Sequence, residues 1–306
     1  MCCLFGLADP RGTLSPRQKN RLLSSLATAA EARGTDATGI AYNSGGQLCI
    51  YKRPWPGHFM RFRVPADARF IMGHTRMTTQ GSALRPWNNH PFRGNADGQA
   101  FALAHNGIIH NDTDLRRQLS LPNTRIETDS YIAVQLSEQK RALTLDSLRY
   151  MAEQVQGSFC FTVLDAEDNL YFVKGDNPLC LYHFPERGLY VYASTEEILK
   201  RALDMARLPL GKPMRVSLDC GEILRIDAKG NEERSTFNDA HLFQRSLFWP
   251  YDWHGLDLDI PAKKTHLDEI KAVAQAFGYA PEEIDRLVKL GFTEDELEEL
   301  LYCGEL

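Results

Sequence analysis

Met1-Cys2-Cys3-Leu4-Phe5-Gly6-Leu7-Ala8 opens the chain, and its reading decides the rest. Cys2 to Ala8 is short and apolar, suited to a buried strand. The stretch lacks the basic and apolar regions of a secretory leader, so the expected compartment is the cytosol. Removal of Met1 is favoured before a small side chain and leaves Cys2 with a free α-amine. An α-amino group titrates at about 7.7–8.0, so a useful fraction is neutral at pH 7. Such an amine can take the proton of the thiol on its own residue, which activates an N-terminal nucleophile. The other reading of Cys2 and Cys3 is a pair of buried thiols in a first strand.

Outward from this strand the pattern alternates between the two regular structures. Ser15-Pro16 is a helix start, and Leu22, Leu23, Leu26, Ala29 and Ala30 follow at helical spacing up to Arg33. Asn43-Ser44-Gly45-Gly46 separates Gly39–Tyr42 from Gln47–Lys52, a hairpin signal. Arg69–Arg76 and Ala100–His105 read as buried strands. Asp112–Leu119, Thr128–Ser137 and Leu145–Val155 read as helices. A meander of strands comes next: Ser158–Asp165, Leu170–Lys174, Cys180–Phe184 and Gly188–Ala193. Helix Thr195–Ala206 and the strands Arg215–Leu218 and Gly221–Asp227 close the unit. Grouped strands flanked by helices predict stacked layers of sheet and helix.

Composition narrows the class. The 306 residues are 43% hydrophobic and 25% charged, ordinary for a globular chain. Lys plus Arg total 35 against 40 Asp plus Glu, a net charge of −5, which argues against nucleic-acid binding. No run approaches the roughly 20 apolar residues that span a bilayer. Seven cysteines without a C-x-x-C pair signal neither a zinc site nor a redox dithiol. No metal or cofactor is expected.

Six short polar motifs lie at the ends of these elements: Cys2 after Met1, Arg33-Gly34-Thr35-Asp36-Ala37-Thr38-Gly39, Gly73-His74-Thr75-Arg76, Asn88-Asn89-His90-Pro91, His105-Asn106-Gly107 and Glu127-Thr128-Asp129. Strand ends and loops are where active sites are usually built. In this order and spacing the set resembles the glutamine domain of class II amidotransferases, in the N-terminal-nucleophile hydrolase superfamily. The likeness covers residues 1 to about 227, continuing more weakly through Gly157-Ser158-Phe159, Tyr192-Ala193-Ser194-Thr195-Glu196 and Gly221-Glu222-Ile223. It implies an α+β fold, a four-layer α-β-β-α sandwich over residues 1–230. Residues 231–306 are expected to form an aromatic-rich linker and a small acidic helical tail.

The resemblance also implies the chemistry. Cys2 matches the nucleophile that attacks the side-chain amide of L-glutamine, forms a γ-glutamyl thioester and releases ammonia. Asn106 and Gly107 match the oxyanion donors. Arg76 matches the residue that holds the substrate α-carboxylate, a task for a planar bidentate fork. Asp129 matches the residue that holds the α-ammonium. Thr79 and His90 fall where the glutamine pocket is lined, and Arg33 where the N-terminal region is positioned. Plainer readings stand beside these: Arg76 as a surface ion pair, Asp129 as a helix N-cap, Gly107 as a turn glycine, Asn106 as a cap of that turn, and the histidines as structural. Three positions depart from the usual pattern. Cys3 replaces a glycine, adding bulk and a second thiol able to form a mixed oxidation product. Met77 replaces an aromatic residue, and Gln80 stands where many sugar-amidating members carry His.

Two expectations concern partners. About 80 residues follow Asp227, with no P-loop and no G-x-G-x-x-G, so the ammonia acceptor is expected on another chain or to be absent. The tail, with Thr265–Gly278, Pro281–Leu290 and a capping box at Thr293-Glu294-Asp295-Glu296, reads as helices that cap the body or recruit a partner. Self-association stays open. Competing functions are hydrolysis of, or transfer from, another γ-glutamyl or acyl-amide substrate, and a non-catalytic regulatory or scaffold subunit with the same fold.

Overall fold

The computed structural model describes residues 2–243 and 279–290, with the single positions 267, 270, 271, 274, 275, 292, 293, 297 and 300. The expected helices at Thr265–Gly278 and Glu294–Tyr302, and the aromatic stretch beyond Phe243, lie largely or wholly outside the described residues. Two compact units divide the chain, Met1–Trp249 and Pro250–Leu306.

Thirteen strands of the first unit, among its described residues, form two antiparallel sheets. One has seven strands in the order β11 (Met214–Val216), β9 (Cys180–Phe184), β10 (Leu189–Ala193), β1 (Cys3–Ala8), β4 (Phe70–Arg76), β2 (Ala37–Ser44) and β3 (Gln47–Arg53). The other has six: β13 (Glu232–Thr236), β12 (Glu222–Ile226), β8 (Leu170–Lys174), β7 (Gly157–Asp165), β6 (Gln99–Ile109) and β5 (Phe92–Ala96).

Three apolar clusters show how these sheets stack. In the first, Cys3, Phe5 and Leu7 of β1 pack on Leu22, Leu23 and Leu26 of helix α1 (Pro16–Ala29) and on Ile198, Leu199 and Ala202 of helix α5 (Glu196–Ala206). In the second, Leu103 of β6 and Phe161 of β7 pack on Ile132 and Leu136 of helix α3 (Tyr131–Gln139) and Leu148 and Met151 of helix α4 (Leu145–Gln154). Leu115 of helix α2 (Asp112–Gln118) joins them. The third lies between the sheets: Leu4, Phe70 and Met72 against Ala102, Ala104, Leu164 and Phe172. The layers therefore run helix, sheet, sheet, helix, as expected for the fold class.

Local sequence explains the boundaries. Ser15 accepts from Gln18 N while Gln18 Oε1 accepts from Ser15 N, a capping box worth about 1 kcal/mol at the start of α1. Thr195 caps α5 through Ile198 N. Gly45 and Gly46 both take positive φ (57° and 73°), the tight-turn geometry that joins β2 to β3.

Two strands differ from the sequence reading. The polar stretch after residue 227 supplies β13, Glu-Glu-Arg-Ser-Thr, paired to β12 from Glu232↔Ile226 to Glu222↔Thr236. The sheet thus continues past the expected domain end at residue 230. Phe92–Ala96, for which the sequence pattern signals no strand, is an edge strand with Phe92, Gly94 and Ala96 buried. A four-residue helix, α6 (Ala240–Phe243), follows β13. In the second unit, helix α7 (Pro281–Lys289) begins with Pro281 in its first turn, and Glu283 Oε2 accepts from Ala280 N at 3.0 Å. Its Ile284 is buried with Ile270, Ala274 and Leu297.

Candidate active site

Strand periodicity assembles the site. In β4, Phe70 and Met72 face the gap between the sheets, so His74 and Arg76 do too. In β6, Ala102 and Ala104 face the same gap, which puts Asn106 there and His105 on the helical side. Cys3↔Thr75 pairing brings the start of β1 beside the end of β4. Alternation carried one residue back from Leu4 and Cys3 turns Cys2 toward the gap. Cys2, Arg76 and Asn106 thus share one face at one end of the sandwich.

The motifs then hold each other. Arg33 Nε donates to the Cys2 carbonyl at 3.1 Å. Asp36 N donates to the Arg76 carbonyl at 2.9 Å, and Asp36 Oδ2 accepts from Thr78 N at 2.7 Å. Asn88 and Glu127 bond reciprocally, Nδ2 to Oε2 at 2.8 Å and Glu127 N to Asn88 Oδ1 at 3.0 Å. Arg85 pairs with the same carboxylate. His74 Nε2 meets the His105 carbonyl at 3.0 Å, tying one sheet to the other.

Arg76 is 3% exposed and grips only neutral oxygens: Asn89 Oδ1 at 2.7 Å, the Gln80 carbonyl, and the Gly81 carbonyl at 3.1 Å. Among the described residues no carboxylate forms an ion pair with it. Asp129, 6% exposed, accepts from Ile109 N at 2.6 Å and from Ser130 Oγ at 3.3 Å, again with no cation paired to it among the described residues. It does not cap α3; Ser130 occupies that position. A buried cation and a buried anion that lack ion-pair partners are expensive unless a ligand supplies the opposite charges.

Asn106 is 1% exposed, and neither its Oδ1 nor its Nδ2 has a hydrogen-bond partner. Leaving such a group unsatisfied costs about 1–3 kcal/mol. Gly107 takes φ +140°, and a Cβ there would stand 2.0 Å from the Ser158 carbonyl oxygen, so only glycine fits. Its place is strand β6, not a turn.

Cys2 is partly exposed, and its Sγ is 3.5 Å from the Met77 carbonyl oxygen. Burial pushes the thiol pKa up most; a backbone hydrogen bond at Met77 and the charge of Arg76 draw it down, and Asp129 pushes it up again. The rise prevails, so the resting group at neutral pH is S–H and needs a base. Cys3 is fully buried and points the other way, into the cluster under α1 and α5. The expected mixed oxidation product has no geometry to support it: adjacent strand residues face opposite sides.

His90 is 4% exposed, with both ring nitrogens unpaired, and it packs on His74 and Phe92 at ring-centroid distances of 4.2 and 4.3 Å. Thr79 is exposed on the loop after β4 and makes no side-chain hydrogen bond among the described residues. The sequence reading missed Asn89 and Lys52. Asn89 is the unspecified position of its motif, yet it holds Arg76. Lys52 Nζ donates to the Asn89 and Pro91 carbonyls at 2.6 and 3.0 Å, and burial lowers its pKa to about 8. An exposed-looking Lys at the end of a hairpin strand gives no signal of this.

Burial lowers the pKa of His74 to about 3, and that of His90 and His105 below the ordinary value. These rings stay neutral in the fold but protonate in the unfolded chain below about pH 6.5. Their stabilising contribution is complete above that pH and is lost as pH falls, by up to about 1.4 kcal/mol per unit for each histidine. Thermal melts should therefore show a falling midpoint between pH 7 and 5. An unchanged midpoint over that window would count against the neutral cluster.

Among the described residues no group of three or more His, Cys, Asp or Glu side chains suits a metal ion, and no helix is long and apolar enough to cross a membrane. Residues 74–201 match the family described as a glutamine amidotransferase domain. The chain is 28% identical over 233 residues to glutamine–fructose-6-phosphate aminotransferase [isomerizing] of Chlamydia muridarum, covering 71% of this chain and 37% of that protein. It is 32% identical over 162 residues to the protein of the same name from Staphylococcus aureus strain N315, covering 49% of this chain and 26% of the relative. The chain spans well under half the length of these curated relatives. The solved structure of B. subtilis glutamine phosphoribosylpyrophosphate amidotransferase, complexed with ADP and GMP, matches with a TM-score of 0.61 at 22% identity. That match covers 78% of this chain and 49% of the other, and the likeness is one of fold. Layer order, motif contacts and the match over residues 74–201 agree: this chain is similar to glutamine amidotransferase domains in both sequence and fold.

Proposed function

We propose that the protein hydrolyses the side-chain amide of glutamine with Cys2 as nucleophile. The observation that carries this is the unpaired amide of Asn106, buried on the Cys2 face of the site. A donor kept without a partner in the resting state suits charge that develops only during reaction. Removal of Met1 gives Cys2 a free α-amine, which takes the S–H proton. The thiolate attacks the amide carbon. Asn106 Nδ2 and the Gly107 N–H receive the oxyanion. The amine returns its proton to the departing nitrogen, and ammonia leaves a γ-glutamyl thioester. Water, deprotonated by the same amine, cleaves the thioester to glutamate and restores the thiol. Arg76 and Asp129 supply the opposite charges for an amino-acid head, carboxylate and ammonium respectively. Arg33 holds the Cys2 carbonyl and so fixes the attacking residue. Thr79 and His90 line the pocket.

The relatives named above are by name an aminotransferase and an amidotransferase of glutamine, and transfer of the released ammonia is proposed here too, with an acceptor not identified among the residues of this chain. Purified protein, shown by intact mass to lack Met1, should release ammonia and glutamate from L-glutamine in equal amounts. A glutamine analogue with an electrophilic δ-carbon should label Cys2 and no other cysteine. Absence of ammonia from such a sample overturns the reading. Ammonia from other γ-glutamyl amides but not from glutamine redirects it to a different substrate.

A further inference from the structure

Gln80 lies on the exposed loop after β4, yet it touches both charged groups of the site. Its carbonyl oxygen accepts from Arg76 Nη2. Its side-chain Oε1 accepts from the Asp129 N–H at 2.9 Å. Asp129 Oδ2 is fixed separately by Ile109 N, so the Gln80 bond sets where the backbone bearing that carboxylate sits. Among the described residues no other loop side chain joins the two: Arg85 and Asn88 bond to Glu127 but to neither Arg76 nor Asp129, and Asn89 bonds to Arg76 but not to Asp129.

We infer that Gln80 is a positioning residue that fixes the spacing between the Arg76 guanidinium and the Asp129 carboxylate, and thereby selects substrates with a zwitterionic amino-acid head. The inference rests on the glutamine reading and deepens it. Other ties hold the loop besides Gln80: Thr78 N on Asp36, Asn89 on Arg76, and Asn88 and Arg85 on Glu127. Losing the side chain acceptor of an exposed residue therefore leaves the fold intact while freeing the Asp129 segment to shift.

The test pairs two substrates, L-glutamine and the monoamide of glutaric acid, which has the same amide and no α-ammonium. Gln80→Met keeps the length of the side chain and removes its acceptor. One lost hydrogen bond predicts KM for glutamine raised about tenfold, with kcat within about twofold. The kcat/KM for the monoamide should stay within about twofold, because Asp129 has nothing to grip there. Gln80→Glu restores an acceptor and should return KM to within about threefold of wild type. An unchanged KM for glutamine in Gln80→Met, an equal loss with both substrates, or no rescue by Gln80→Glu overturns the inference while wild-type ammonia release leaves the parent reading standing. No ammonia from Met1-free wild type overturns the parent reading, and this inference with it.

Discussion

Cys2→Ala abolishes ammonia release from glutamine, with an expected loss on the order of 10⁴-fold or more, because the covalent route has no second nucleophile at the site. The thiol is partly exposed and outside the apolar clusters, so the melting midpoint should barely move. Cys3→Ala is the matched control. That side chain is fully buried under α1 and α5, so its truncation should cost about 1–2 kcal/mol of stability and leave kcat within a few-fold. The two neighbours therefore give opposite patterns, one losing activity and the other stability. Retention of more than about a hundredth of wild-type activity in Cys2→Ala would remove Cys2 from the mechanism, and the reverse pattern would transfer its role to Cys3.

Asn106→Leu separates function from stability more sharply. Deleting one oxyanion donor typically lowers kcat by about 10²–10³, with KM little changed. Leucine keeps the branched heavy-atom skeleton of asparagine and introduces no polar atom. It also removes a buried amide that lacks partners on both sides, so the melting midpoint should hold or rise. A simple structural asparagine predicts the reverse: intact turnover and a destabilised fold. Steady-state kinetics alongside calorimetry distinguish these, and a fall of the midpoint with unchanged kcat would sink the donor role.

Much of this arrangement is legible in the sequence because strand chemistry is periodic. Alternation in Phe70–Arg76 and Gln99–Ile109 puts the residues before each motif in the core and the motif itself at the strand end. Ser15 marks a helix start and caps it as expected, and Thr195 caps the helix read to begin there. Glu232–Thr236 escapes such reading because its residues are polar on both faces and it pairs on one side only, so no apolar period is required. Phe92–Ala96 escapes because it is a short edge strand with Gly94 at its centre, which breaks any apolar period. The site residues found by motif are those with reactive groups. Asn89, Lys52 and Gln80 act through carbonyl and amide bonds to other residues, and no residue-type pattern announces such a task. Asp129 is not the cap of α3, a place Ser130 takes, and its carboxylate instead accepts from Ile109 N on β6.

The pleat of β1 has a practical consequence. Cys2 and Cys3 are one peptide bond apart, yet one opens toward solvent and the other is sealed beneath helices. A soluble alkylating reagent therefore times two separate events on a single tryptic fragment: the first mass increment reports vacancy of the catalytic mouth, and the second reports the moment the helices lift from the sheet.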